Sequence, residues 1–260
     1  MLTQTAAGPD ATPAPVSPQD DLGIDRAFLM QMARVPFIAI AWVLASFAVT
    51  WIWNQVAPAP NYGPLIVICV GMVLAAVIDG WAFKVPNWLT LSLVLSGWII
   101  GAFHTFGVPV DSGTGGIGAS LLCTVIGFAL LFPLLAIVGM GQGDVKMLMG
   151  FGAWVGAYFE GRDAILILIW AFCLGAVVGG LCGIVMMVLR RKFKKTLSNF
   201  REIAVDLKVL ATVGPGAAAA RSSSRRGGWD RLPYGIPLCI GFLGYLAYRY
   251  MEGTLPGMGQ

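Results

Sequence analysis

The sequence has few charged residues and almost no histidine. Charged side chains make up 12% of its 260 residues, whereas a soluble domain carries about 25%. His104 is the single histidine, which excludes metallopeptidase motifs such as H-E-x-x-H that need two histidines. No G-x-S-x-G segment is present, so a serine nucleophile on a sharp strand-to-helix turn has no support.

Cysteine is also sparse, and its spacing excludes the common zinc motifs. None of the five cysteines forms a C-x-x-C pair, and all of them lie in apolar runs. Cysteines of this kind behave as small apolar core residues and not as zinc ligands or disulfide partners. We therefore expect no metal site and no cofactor. The cysteines are Cys69, Cys123, Cys173, Cys182 and Cys239.

Apolar stretches, in contrast, fill most of the chain. Hydrophobic residues make up 57% of it, and the mean hydropathy is +0.78. A membrane-spanning helix needs roughly 20 residues, and all of the stretches except 147–160 are near that length. The stretch 147–160 would be about 21 Å long as a helix, which is short. The pattern predicts an all-α integral membrane bundle of about seven transmembrane helices. The stretches are residues 35–55, 62–82, 88–107, 115–139, 147–160, 163–189 and 233–250.

The basic residues predict how the chain is oriented in the membrane. Cytoplasmic loops carry an excess of Lys and Arg. If every stretch spans and the N-terminus is cytoplasmic, all 17 Lys and Arg residues except Arg162 and Arg249 face the cytoplasm. If 147–160 did not span, the basic cluster at 190–195 would face outward instead. We therefore expect a multi-pass protein with a cytoplasmic N-terminus in which 147–160 also spans.

Two parts of the chain are predicted to lie outside the bilayer. Residues 1–25 are rich in Pro, Ala, Thr and Asp, so we expect a disordered cytoplasmic tail over 1–30 and one membrane domain over 31–260. Residues 191–232 form a basic cytoplasmic loop within that domain. We expect this loop to lie against anionic lipid headgroups of the bilayer. Nucleic acid is not an expected partner, because no nucleic-acid-binding fold accompanies the charge.

Asp79 and Asp144 stand out among the 13 acidic residues. Asp79 lies at the inner end of the second stretch, and Asp144 lies between the fourth and the fifth. The topology places both at the cytoplasmic edge at similar depth, and each has a glycine beside it, Gly80 and Gly143. An acid next to hydrocarbon is costly and marks a functional site by default. Two carboxylates a few ångströms apart share one proton, which is suited to general acid–base hydrolysis.

Structural roles for these residues are also open. Asp144 can cap a helix starting near Val145, and Asp79 can reach toward the headgroups from the end of its helix. Lys146 argues against a purely structural helix start, because a cation in the first turn opposes the helix dipole. It can balance the carboxylates or meet an acidic group on a substrate.

Three segments of the sequence stand out together. Residues 141–147 read Gly-Gln-Gly-Asp-Val-Lys-Met, Asp79 is followed by Pro86 and Asn87, and residues 232–237 read Leu-Pro-Tyr-Gly-Ile-Pro. These segments resemble, in turn, the G-x-G-D-V-K-[LM] motif, the other aspartate motif and the stretch that opens the last helix of the type IV prepilin peptidases, a family of membrane aspartic peptidases. The resemblance covers roughly residues 60–250 in the order of the family.

The resemblance implies an enzyme of the bacterial inner membrane that cleaves the cytoplasmic leader of a prepilin or pseudopilin. Asp79 and Asp144 are then the catalytic pair. The pilus assembly machinery is a further implied partner. The implied substrate-binding or supporting residues are Gly80, Pro86, Asn87, Gly141, Gly143 and Lys146.

Two departures from related enzymes narrow this expectation. Bifunctional members carry paired C-x-x-C zinc sites and methylate the new N-terminus, whereas this chain has no such pair. It therefore resembles the short peptidase-only members found with tight-adherence (Flp) pili, and no methyltransferase activity is expected. Presenilin-like enzymes pair the G-x-G-D motif with Tyr-Asp and Pro-Ala-Leu, but Ile78 precedes Asp79 here and no Pro-Ala-Leu occurs.

Two functions of other classes stay open. A proton- or ion-coupled transporter would hold its acids near the bilayer midplane and have repeated halves. A non-catalytic assembly subunit of a pilus or secretion system would tolerate Asn at both aspartates.

Overall fold

The computed structural model describes residues 26–56, 60–82, 85–108, 113–138, 141–189, 205, 208–209, 212 and 234–255. Its regular elements are all helices, as the apolar stretches predicted. Four of the helices in this part of the chain are long and apolar enough to cross a bilayer, over Phe28–Val56, Gly63–Ala82, Asn87–Thr105 and Gly161–Met186, and Ile117–Pro133 is a shorter apolar helix. The predicted all-α membrane bundle is thereby confirmed. The helices are α1 (Arg26–Val56), α2 (Gly63–Ala82), α3 (Asn87–Thr105), α4 (Ile117–Val138), α5 (Gln142–Tyr158), α6 (Gly161–Leu189) and α7 (Gly235–Met251).

The helix bounds differ from the apolar stretches at two places. α1 begins at Arg26, nine or so residues before its apolar stretch, so residues 26–30 are helical although the sequence assigned them to the tail. Arg, Ala, Leu and Met all favour helix, so α1 extends toward the N-terminus beyond its apolar stretch. α5 begins at Gln142 and not near residue 147. The tail at 1–25 and nearly all of the loop at 191–232 lie outside the described residues.

The helices run alternately up and down, so the bundle has two distinct ends. At one end, which we call the site end, α2 finishes at Ala82 and α3, α5 and α7 begin. At the far end, the Tyr158 hydroxyl donates to the Asn61 carbonyl at 3.0 Å, which ties the end of α5 to the start of α2. Arg249 of α7 pairs there with Asp163 of α6 at 3.3 Å.

Helix α5 is the centre of the bundle. Most of its residues are buried, and it packs most extensively against α3 and α4. Its 17 residues give a length of about 26 Å, and its neighbours rather than lipid cover it. The Trp154 indole N–H donates to the Leu93 carbonyl of α3 at 2.9 Å. Because α5 is fixed on several sides, the residues of its first turn at the site end are fixed too.

A seam of glycines brings α6 and α7 together. A Cβ on Gly175 would lie 3.1 Å from the Leu238 Cα, and a Cβ on Gly179 would lie 3.4 Å from the Pro237 Cβ. Gly241 of α7 faces the backbone of α6 at Gly175 and Ala171. Small residues let membrane helices approach closely in this way. A Cβ on Gly183, four residues further along α6, would have no such contact within 4 Å among the described atoms.

The cysteines only partly follow the sequence-based expectation. Cys123 and Cys239 are buried and Cys69 is half-buried, but Cys173 and Cys182 are exposed on the outer face of α6. A membrane-spanning helix is apolar both on its core face and on its lipid face. An apolar neighbourhood in the sequence therefore does not show which face a cysteine of α6 lies on.

Candidate active site

Asp79 lies in the last turn of α2 and is held from across the bundle. Its side chain is buried, with 6% of the residue exposed. The backbone N–H of Gly235, the first residue of α7, donates to the Asp79 Oδ2 at 2.9 Å. A Cβ at position 235 would lie only 2.8 Å from the same oxygen. A side chain at that position would therefore push the carboxylate away.

Asp144 lies in the first turn of α5 and is also buried, with 4% of the residue exposed. Gly141 is the N-cap residue, and its backbone N–H donates to the Asp144 carboxylate. Asp144 thus occupies the third helical position and reaches back to the cap, as the acid of a capping box does. The alternative that Asp144 itself caps a helix starting near Val145 is wrong, because the helix begins three residues earlier.

The two carboxylates lie near each other at the site end. Asp79 and Asp144 come from helices of opposite direction and are close enough to interact electrostatically. The Oδ1 atom of Asp144 is buried and has no hydrogen-bond partner among the described residues. A buried carboxylate oxygen without a partner is costly, so a hydrogen bond from a water or a peptide group to this atom is favoured.

Tyr234 completes this pocket. It precedes Gly235 at the start of α7, and its phenol is close enough to Asp144 for an electrostatic interaction. The edge of its ring lies 3.5 Å from the position of a Cβ on Gly179. The glycine seam of α6 and α7 therefore sets where both Tyr234 and Gly235 stand.

The supporting residues predicted from sequence form a second contact next to the acids. The Lys146 Nζ donates to the Asn87 Oδ1 at 2.7 Å, which joins α5 to α3. Pro86 is the N-cap residue of α3, and its carbonyl accepts from the backbone N–H groups of Leu89 and Thr90. Gly143 faces Val85, since its Cβ would lie 3.2 Å from the Val85 Cβ. These residues brace the start of α5 against the start of α3.

Gly80 and Gly141 occupy two different surroundings. A Cβ on Gly141 would lie 3.0 Å from the Asp144 Oδ2, so this glycine lies directly against the Asp144 carboxylate. A Cβ on Gly80 would meet the Ile236 Cδ1 at 3.0 Å. Gly80 therefore lies at the contact between α2 and α7.

Gly235 and Tyr234 were missed as site residues. The sequence placed 232–237 at the start of the last span, and the topology put that start at the same edge as both aspartates. That shared edge was the available signal. A glycine directly at a helix start beside two acids is a candidate for close backbone contact.

Comparison with known proteins points to one family. Residues 66–180, which include both aspartates, match the model of the type IV leader peptidase family. The chain is 30% identical to a prepilin leader peptidase/N-methyltransferase of Aeromonas hydrophila, over 61% of this chain and 50% of that protein. It is 29% identical to one of Pseudomonas aeruginosa, over 60% of this chain and 50% of that protein. The chain spans about half the length of the curated relatives it matches, and no solved structure matches it significantly.

Proposed function

We propose that this chain, whose residues 66–180 match the model of the type IV leader peptidase family, is a membrane aspartic endopeptidase that removes the leader of prepilin-like or pseudopilin-like proteins. The observation that carries this proposal is the meeting of two buried carboxylates, Asp79 and Asp144, at one end of the bundle. The activity proposed is proteolysis alone. The chain has no C-x-x-C pair, so methyl transfer is not part of the proposal.

The proposed reaction is hydrolysis by water held between the two acids. The pair holds one proton between its members. The ionised carboxylate takes a proton from the water while the water oxygen attacks the scissile carbonyl carbon. The protonated carboxyl donates its proton to the carbonyl oxygen. Collapse of the tetrahedral intermediate then breaks the C–N bond, and the amine leaves with a proton from the dyad. The pair titrates as a unit, so neither role is assigned to one residue.

The contacts around the acids support this use. The Gly235 and Gly141 N–H groups each donate to one carboxylate, which fixes the orientation of both. One oxygen of Asp144 is left without a partner among the described residues, and that atom is available to the water. Such preorganised contacts remove the need to order the acids during the reaction.

We further propose that the site end faces the cytoplasm of a bacterial inner membrane. The basic loop at 191–232 connects the end of α6 to the start of α7, both at the site end. Lys146 lies at the same end. At the far end, Arg249 is paired with Asp163. Positive charge therefore accumulates at the site end, as it does on the cytoplasmic side of membrane proteins.

The transporter alternative is less favoured by the position of the acids. Asp79 is in the last turn of α2 and Asp144 in the first turn of α5, so both stand at an edge of the bundle and not halfway along it. The assembly-subunit alternative is separated by the experiment below, because it requires no chemistry at either aspartate.

The decisive test is cleavage of a candidate prepilin co-expressed with this chain, followed by gel shift and N-terminal sequencing. Asp79→Asn and Asp144→Asn keep the shape of each side chain and remove its acid chemistry. We expect each to slow cleavage at least about 100-fold, which is the low end of what general acid–base groups contribute.

The matched control is Asp163→Asn, which changes an exposed acid at the far end and should cleave like wild type. If Asp79→Asn and Asp144→Asn accumulate in the membrane and still cleave at the wild-type rate, the dyad mechanism is wrong.

A further inference from the structure

A long apolar groove lies between α2 and α7 on the outside of the bundle. Two adjoining cavities of about 830 Å³ and about 630 Å³ form it, and Val73 and Val77 of α2 line both of them. The groove follows α2 from Leu65 to Trp81, a distance of roughly 25 Å at the helical rise. We call this feature the α2–α7 groove. Its length is close to the roughly 30 Å thickness of the hydrocarbon layer.

Aromatic residues mark both ends of the groove. Trp53, Tyr62 and Tyr250 line it at the far end, and Trp81 lines it at the site end. Trp and Tyr gather at the two membrane interfaces, where their polar atoms reach water. The groove therefore has the length and the flanking aromatic residues expected of a surface that follows most of the apolar layer.

The groove ends beside the candidate active site. Gly80 and Ile236 line its last part, and these two residues neighbour Asp79 and Gly235 in the chain. At this end the described residues show the contact of Gly80 with Ile236 and the hydrogen bond from the Gly235 N–H to Asp79. A helix in the groove would deliver the chain that continues from its end to the dyad.

This continuity distinguishes the groove from other exposed apolar surfaces. Val177 and Val185 on α6 are 60% and 55% exposed, but they line neither cavity and lie on a helix that carries no acid of the dyad. Val77 and Ile240 in the groove are similarly exposed, at 57% and 49%. Ordinary lipid contact explains the α6 face, whereas the groove also leads to the acids.

Resting on the proposed function, we propose that the α2–α7 groove binds the apolar helix of the substrate, so that the substrate enters sideways from the bilayer past Gly80. The occupant is a single, uncharged, membrane-spanning helix whose polar leader continues beyond the site end. None of the described residues that line the groove is charged, so binding depends on shape and apolar contact. Residues of α2 and α7 then determine which helices are accepted.

The test is photo-crosslinking in membranes with the full chain in the Asp144→Asn background, which retains uncleaved substrate. A photoreactive amino acid replaces Val77 or Ile240 in the groove, and Val177 or Val185 on α6 as matched controls. We expect a crosslink to a co-expressed candidate prepilin from the two groove positions and none from the two controls. Crosslinking to lipid only at the groove positions, or equal crosslinking from all four, would overturn the proposal.

A kinetic measurement in the active protein gives an independent readout. Val77→Trp fills the groove without touching the acids, and it should raise KM for a helix-bearing substrate at least about tenfold while kcat stays within about twofold. Val177→Trp, on the equally exposed α6 position, should change neither. A Val77→Trp protein with unchanged KM would contradict the docking site.

The experiments also separate the docking site from the proposed function. If the unmodified chain cleaves no substrate, the proposed function fails. If it cleaves the substrate but gives no crosslinks from the groove, the docking site alone is rejected.

Discussion

Replacing Gly235 by alanine tests whether the start of α7 holds Asp79 in its working position. The new Cβ would stand 2.8 Å from the Asp79 Oδ2 and 3.0 Å from its Cβ, whereas unstrained contacts are near 3.5–4.0 Å. The carboxylate must therefore move by at least about 0.5 Å, which is the tolerance of a catalytic group.

The magnitude follows from the hydrogen bond that this movement disturbs. A hydrogen bond to a charged group contributes about 1.5–3 kcal/mol, and 1.36 kcal/mol corresponds to a factor of ten in rate. Leader cleavage by Gly235→Ala should therefore be about 10- to 100-fold slower than by wild type. The assay is the time course of prepilin processing in membranes, with the amount of each variant matched by immunoblot.

The control is Gly244→Ala on the same helix. Its Cβ would meet only the end of the Leu174 side chain, at 3.3 Å, and that flexible end can turn aside. This variant should cleave at the wild-type rate. If Gly235→Ala accumulates normally and also cleaves at the wild-type rate, the start of α7 does not position Asp79, and the reasoning from the 2.9 Å hydrogen bond fails.

Two further predictions follow from contacts at the site end. Lys146→Met removes the hydrogen bond to Asn87 and should lower the free energy of unfolding, measured by thermal unfolding in detergent, by about 1–3 kcal/mol. Asn87→Asp keeps an acceptor oxygen for Lys146 and should lower the free energy of unfolding by less. Equal losses in the two variants would contradict a stabilising role for that hydrogen bond. A topology experiment tests the proposed orientation with a reporter that is active only in the periplasm. The reporter should be active when it is fused after the last residue and inactive when it is inserted in 191–232, because α6 ends and α7 begins at the site end, which we propose to be cytoplasmic. The reverse pattern would place the dyad on the outer side.

Much of the architecture could be predicted from the apolar stretches, because a bilayer imposes length and composition on each spanning helix. The shared edge of Asp79 and Asp144 followed from counting those spans. The start of α5 could not be predicted in this way, because Gly141-Gln142-Gly143 has the composition of a loop. The helix begins there since the Asp144 side chain accepts from the Gly141 N–H and replaces a lost helical hydrogen bond.

The contact between Asp79 and Gly235 could not be predicted from local patterns. The two residues are 156 positions apart in sequence, and the bond forms only because α6 places the start of α7 beside α2. Gly175 and Gly179 stand four residues apart on α6, a spacing that favours close helix packing, and both of them contact α7. Which helix would lie on that face depended on the three-dimensional arrangement of the whole bundle.

The glycine seam has a mechanical consequence for the groove. At Gly175 and Gly241 the backbones of α6 and α7 touch with no side chain between them, so there is no flexible layer in which the two helices can slide apart. α2 instead meets α7 through side chains, such as Ile236 against Gly80, and side chains can change rotamer. The two walls of the groove therefore differ in stiffness: α7 moves only together with α6, and any widening that admits a guest helix is taken up on the α2 side, which is the side that carries Asp79.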